Sequence, residues 1–151
     1  MSRTVVVPVI RELARCYQAF QRASDAHIRR TGLTPPQFDI VATLGNTAGM
    51  TFKELGSRTL ITKGTLTGVV DRLEARGLVA RMASPTDGRS TLVRLTEQGD
   101  RVFHEVFEPH LAVLAPAFES LPESGRKELE LRLRQLREAL EKRSDELGRH
   151  D

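Results

Sequence analysis

Two clusters of side chains in the middle of the chain have the types and spacing to grip a polyanion. The first is Lys63, Thr65 and Thr67, with Arg72 further along. Short hydroxyls can hydrogen-bond base edges or touch a thymine methyl, and a lysine or arginine can reach guanine or phosphate. Gly64 and Gly68 leave the backbone between them uncovered, so it could lie close to base edges in a major groove. The second cluster is Asp87 and Arg89, flanking Gly88 in the run SPTDGRS. Pro85, Asp87 and Gly88 account for a turn, but nothing in folding requires a long basic side chain at its tip. Such an arginine could enter a minor groove, where narrow A·T-rich stretches concentrate negative potential. Asp87 could hold it extended by accepting from it or from the turn amides. The ordinary alternatives are a solvated helix face and a surface ion pair worth ~0–1 kcal/mol. Gln37, Lys53, Arg81 and Arg94 are further expected phosphate contacts, each unspecific alone.

These clusters act together only if the elements carrying them face the same way. TFKE, from Thr51 to Glu54, is a capping box that opens a short helix packing Phe52 and Leu55. After a brief break Thr62 is expected to cap a longer helix. Its inward face is Leu66, Val69, Val70 and Leu73, and Gly77 supplies a left-handed stop. LVARMA and TLVRL then read as two strands of a hairpin. A helix-turn-helix followed by a hairpin is a winged helix. Upstream, apolar residues Val9, Leu13, Tyr17 and Phe20 predict a helix from about Val7 to Thr31, with Pro8 in its first turn and Gly32 at its end. Thr34, Pro35 and Gln37 open a second helix over Phe38, Val41 and Leu44. Downstream, Thr96 caps a long helix that Pro109 and Pro116 should interrupt and kink. Leu129, Leu133, Leu136, Leu140 and Leu147 stripe a last helix from about Glu123 to Leu147.

The expected fold is therefore mainly α with a small β-hairpin wing. Residues 1–151 form a single domain, in which 34–100 make the winged helix-turn-helix and 1–33 with 101–151 make dimerisation helices. The apolar stripes of the first and last helices need a cover that the small central core does not require. A second copy around a two-fold axis would supply it; folding back on the same domain is the alternative.

Bulk properties agree. The chain has 151 residues, 39% hydrophobic and 28% charged, without a biased tract, which argues against disorder. The net charge is +3, yet between Thr51 and Leu95 eight Lys/Arg face four acids, so the rest of the chain sums to −1. The basic excess lies where a polyanion would be met. One cysteine, Cys16, precludes an internal disulfide and suits a reducing cytoplasm. The run VVVPVI is too short for a signal-peptide core, and no segment approaches the ~20 apolar residues of a membrane helix. A soluble intracellular protein with no membrane partner is expected.

The spacing D-x-R, five residues, then L-T-x-x-G occurs intact at Asp87, Arg89, Leu95, Thr96 and Gly99. With LTPPQF upstream and GTLTGVVDRLEARGLV between, nearly the whole chain resembles the MarR (multiple antibiotic resistance regulator) family of winged-helix transcription factors. The resemblance implies a homodimer joined through its terminal helices, bound to double-stranded DNA at a pseudo-palindromic operator, usually as a repressor. Thr62, Lys63, Thr65 and Thr67 would face the major groove, Arg89 the minor groove, and Asp87 would position the wing. It also implies a small aromatic carboxylate or phenolic ligand that lowers operator affinity. Arg15 would be a partner for its carboxylate, and Tyr17, Phe20 and His27 could line the pocket; packing between copies or solvation would equally explain these four. Cys16 is expected to be a buried inert thiol, with redox sensing as the alternative. His27, His104 and His110 share no ligand spacing, so no metal or other cofactor is expected. There is no G-x-S-x-G, H-E-x-x-H or phosphate loop, which argues against an enzyme. A protein-interaction module is the remaining alternative; it would be indifferent to Arg89 and to salt.

Overall fold

A computed structural model describes residues 3–149. The elements are α1 (Arg3–Ile28) with a 3₁₀ turn (Arg29–Thr31), α2 (Pro35–Leu44), β1 (Met50–Thr51), α3 (Phe52–Arg58), α4 (Lys63–Ala75), β2 (Val79–Ala83), β3 (Thr91–Leu95), α5 (Glu97–Glu119) and α6 (Glu123–Gly148). They divide into two compact units, the boundary falling between Val113 and Leu114 within α5.

The first unit holds the core. Ile40, Val41, Leu44, Leu55, Val70, Leu73, Val79 and Val93 are its fully enclosed side chains. They come from α2, α3, α4 and the sheet, so each short amphipathic element is stabilised by its neighbours rather than by itself. Both capping boxes form: the Thr34 hydroxyl accepts from the Gln37 amide, and the Thr51 hydroxyl from that of Glu54. Gly77 takes φ 73°, the left-handed conformation that ends α4. Thr96 stands before α5, its hydroxyl accepting from the Gly99 amide at 3.0 Å and donating to the Gly77 carbonyl at 2.6 Å. Gly99 has no alternative there, because a methyl group would overlap the Leu78 carbonyl.

Four features depart from the sequence reading. The wing is a three-stranded antiparallel sheet ordered β1-β3-β2, because Met50 and Thr51 add an edge strand opposite Val93 and Leu92. Helix α1 begins at Arg3, so Pro8 lies inside it rather than in its first turn. Pro109 and Pro116 do not interrupt α5, which is one helix from Glu97 to Glu119; each proline forfeits one backbone bond, and the flanking turns carry the helix through. Finally, Thr62 occupies the N-cap of α4 without a side-chain cap bond; its hydroxyl pairs with that of Thr65 at 3.0 Å.

From Thr4 to Ala23 every residue of α1 is exposed, including Val9, Leu13, Tyr17 and Phe20, and only Ser24 and Ile28 near its end are buried. In the second unit, α6 buries no residue. Its helical form rests on ion pairs one turn apart, such as Lys127–Glu123 at 2.6 Å, Arg132–Glu128 at 2.7 Å and Arg137–Glu141 at 3.0 Å. Its apolar stripe, with Leu129, Leu133 and Leu140, remains in solvent.

Candidate nucleic-acid interface

The inward residues Leu66, Val69, Val70 and Leu73 seat α4 on the core and thereby turn Lys63, Thr65, Thr67 and Arg72 outward, all exposed. A side chain at Gly64 or Gly68 would meet only open space, so the helix backbone is accessible on this face. The turn before α4 is pinned from α2: the Leu60 amide donates to Asp39 Oδ2 at 2.8 Å. Burial pushes the Asp39 carboxyl above its ordinary range, partly offset by that same bond.

The wing tip is ordered by its own acid. Asp87 accepts from the Arg89 amide at 3.1 Å through one oxygen and from the Ser90 hydroxyl at 3.1 Å through the other. The Ser84 hydroxyl receives the Asp87 amide at 3.3 Å, and the Ser84 amide donates to the Ser90 carbonyl at 2.8 Å. Asp87 therefore acts on the turn backbone, and the Arg89 guanidinium has no ion-pair partner among the described residues.

Two arginines are structural ties. Arg81 on β2 bridges Asp71 and Glu74 of α4 and lies over the Phe52 ring, 5.6 Å from its centroid. Arg76 donates from one nitrogen to the Gly32 carbonyl at 3.1 Å and the Gln37 amide oxygen at 3.0 Å. The first tie sets the wing against α4, and the second sets α4 against the start of α2. They correct two expected phosphate contacts. Gln37 is 7% exposed, its amide oxygen shared between the Thr34 amide and Arg76. Arg81 is held by its two carboxylates. Lys53 and Arg94 stay exposed, as does Arg58, and none of the three has an ion-pair partner among the described residues.

The charge pattern between Thr51 and Leu95 is thus sorted. Glu54 is engaged in its capping box, Asp71 and Glu74 with Arg81, and Asp87 in the wing turn. Lys53, Arg58, Lys63, Arg72, Arg89 and Arg94 have no ion-pair partner among the described residues.

Comparison with known proteins shows what the chain is related to. A model of the MarR family matches residues 31–90. The HTH-type transcriptional regulator MhqR of Bacillus subtilis is 34% identical over 100 residues, 66% of this chain and 69% of that protein. The chain belongs to the MarR family. Among solved structures, Bordetella bronchiseptica BpsR, whose DNA binding is regulated by 6-hydroxynicotinic acid, is 28% identical. Its TM-score is 0.73, over 85% of this chain and 91% of that one. AbsC of Streptomyces coelicolor, 24% identical over 93% and 97% of the two chains, shares the fold with a TM-score of 0.80. The relatives named are transcriptional regulators, and this MarR chain has their winged helix.

A cavity of about 300 Å³ opens beside the winged helix within the first unit. Tyr17, Phe20, Ser24 and Asp25 of α1 line it with Phe38 and Asp39 of α2, Leu60 and Ile61 of the turn before α4, and His110 of α5. Two of the four expected pocket residues, Tyr17 and Phe20, are on its wall. Arg15 is not; it sits in solvent, 3.7 Å from Glu12. Nor is His27, which supports the wall from behind: its Nδ1 shares a hydrogen bond with Nδ1 of His110 at 3.0 Å, while His110 Nε2 bonds the Ser24 hydroxyl at 3.2 Å. Burial, then the neighbouring His27, lower the His110 pKa, so the neutral ring is favoured. Spacing alone could not pair these rings, which lie 83 residues apart. Among the described residues no group of three or more His, Cys, Asp or Glu could hold a metal, and no helix is long and apolar enough to cross a membrane. Cys16 is exposed in the single chain, against the buried thiol expected, because its stretch of α1 has no cover there.

Proposed function

We propose that this protein binds a pseudo-palindromic operator as a homodimer and represses transcription until a small aromatic ligand releases it. One observation carries the reading: between Thr51 and Leu95 every acid is engaged by a partner within the fold, whereas six cations on α3, α4 and the wing have no ion-pair partner among the described residues. Thr62, Lys63, Thr65, Thr67 and Arg72 read base edges in the major groove, and Arg89, on a tip ordered by Asp87, enters the minor groove. Lys53 and Arg94 contact phosphates. Two copies joined through residues 1–33 and 101–151 set two recognition helices about one helical turn of DNA apart.

The cavity is the effector site. Its wall includes Leu60 and Ile61, so an occupant touches the segment that leads into α4. A ligand that favours the wrongly spaced dimer by ~1–3 kcal/mol suffices for release. The regulation of BpsR by 6-hydroxynicotinic acid supports a small-molecule switch in a relative of this similarity.

The test is fluorescence anisotropy against the DNA upstream of the protein's own gene, with a scrambled duplex as control and salt varied. Four phosphate contacts per dimer give a slope of log affinity against log salt of about −4 or steeper. Tight, sequence-preferring, salt-steep binding is expected. Equal, weak binding to both duplexes would sink the reading, and the apolar faces of α1 and α6 would then become the lead for a protein-interaction module.

A further inference from the structure

The charge lining the cavity is opposite to what an aromatic acid requires. Asp25 and Asp39 line it, and among the residues on its wall there is no lysine or arginine. His110 cannot substitute as a cation: both its ring nitrogens are engaged, and its surroundings favour the neutral form. Arg22 on α1 and Arg29 in the 3₁₀ turn after it stand close to Asp25 in sequence, but neither lines the cavity, and Asp25 has no hydrogen bond or ion pair among the described residues. Apart from the uncharged Gln21 and Ser24, the remaining wall is aromatic and apolar, with Tyr17, Phe20 and Phe38 able to hold a flat ring and present π-faces to a positive charge. A carboxylate placed here would face two acids with no cation to answer it.

We infer that the effector of this regulator is a cationic aromatic amine, bound with its ring among Tyr17, Phe20 and Phe38 and its ammonium at Asp25 and Asp39. The inference rests on reading the cavity as the effector site and adds the ligand's charge. Asp39 also gives that charge a route to DNA. The oxygen that receives the Leu60 amide holds the turn before α4, at 2.8 Å. An ammonium at Asp39 competes for that acceptor and loosens the turn, so occupancy and operator affinity oppose each other.

Tyr17 is the only tyrosine, and the chain has no tryptophan, so tyrosine fluorescence reports on the cavity wall directly. The full-length protein is titrated with 2-phenylethylamine, 2-phenylethanol and phenylacetate, which share a ring and a short tail and differ in charge. The amine is expected to bind at least ~10-fold tighter than phenylacetate, with the alcohol between. Asp25→Asn, which removes a charge and breaks no hydrogen bond among the described residues, and Asp39→Asn, which keeps an acceptor for Leu60, should each shrink that preference. Phenylacetate binding as tightly as the amine, no fluorescence change with any probe, or an amine preference undiminished in both variants would each overturn the inference.

Operator anisotropy on the same samples separates the two readings. If ligand-free protein fails to bind the operator, the regulator reading falls while the fluorescence series still decides the ligand's charge. If the amine binds tightly and the operator stays bound, the link through Asp39 is wrong.

Discussion

Arg89 and Asp87 divide the work at the wing tip between a side chain and a backbone. Because Asp87 holds the turn through the Arg89 amide and the Ser90 hydroxyl, the guanidinium reaches outward from a preformed loop and less ordering remains for binding. Arg89→Ala should leave thermal stability unchanged and weaken operator binding by ~1–3 kcal/mol, roughly 5–150-fold. Asp87→Ala should also weaken binding, with Arg89 still present, because the tip is no longer held. Anisotropy together with a melting curve for each variant checks both. A second expectation concerns His110, whose folded pKa lies below its unfolded value near 6.5. The unfolded chain then binds more protons in the window below that value, so its contribution to stability is present above about pH 6.5 and is lost as pH falls through the folded pKa. Melting temperature should fall between pH 7 and pH 5, and His110→Asn should flatten the decline. An unchanged slope in the variant would assign it to other groups.

At the scale of elements, the wing and α4 work as one piece because Arg81 clamps β2 to two carboxylates one helical turn apart. The pairs are largely solvated, so breaking them should cost only ~0–1 kcal/mol of stability. Under the proposed operator reading the cost to function should be larger, since the wing and α4 would then have to meet adjacent grooves in fixed register. Arg81→Met is therefore expected to bind operator several-fold more weakly while melting within a few degrees of wild type. A matching loss of both would make Arg81 merely a stabilising residue. The start of α5 is more demanding. Gly99→Ala forces a methyl into the Leu78 carbonyl, and the shift of helix or strand should cost ~1–3 kcal/mol in urea denaturation.

For the whole molecule, the exposed apolar residues are the feature that a single chain does not explain. Val5, Val9, Ile10 and Leu13 on α1 and Leu129, Leu133 and Leu140 on α6 all lie open to solvent, far more apolar surface than an isolated helix face needs. Homodimerisation through these helices predicts a melting temperature that rises with protein concentration. Light scattering should give twice the chain mass. Leu13→Glu combined with Leu133→Glu should yield a monomer with intact winged-helix circular dichroism and sharply weaker operator binding. A wild-type chain that scatters as a monomer at micromolar concentration would refute the dimer.

Local chemistry was legible from the sequence by itself. The capping boxes at Thr34 and Thr51, the inward face of α4, the left-handed stop at Gly77 and the turn at Asp87 to Ser90 each depend on residues within a few positions of one another. So did the family resemblance, since the spacing from Asp87 to Gly99 spans a single hairpin and helix start. Pairings between distant segments were not legible: Met50 with Val93, Arg76 with Gln37, Arg81 with Asp71 and Glu74, His27 with His110. Each joins segments that only the packing of the core brings side by side, and periodicity carries no record of which solvated-looking charge will find a partner. Composition set the basic excess of the middle segment. The tertiary structure decided which cations remain free, because it alone engages the four acids, two arginines and Gln37 within the fold.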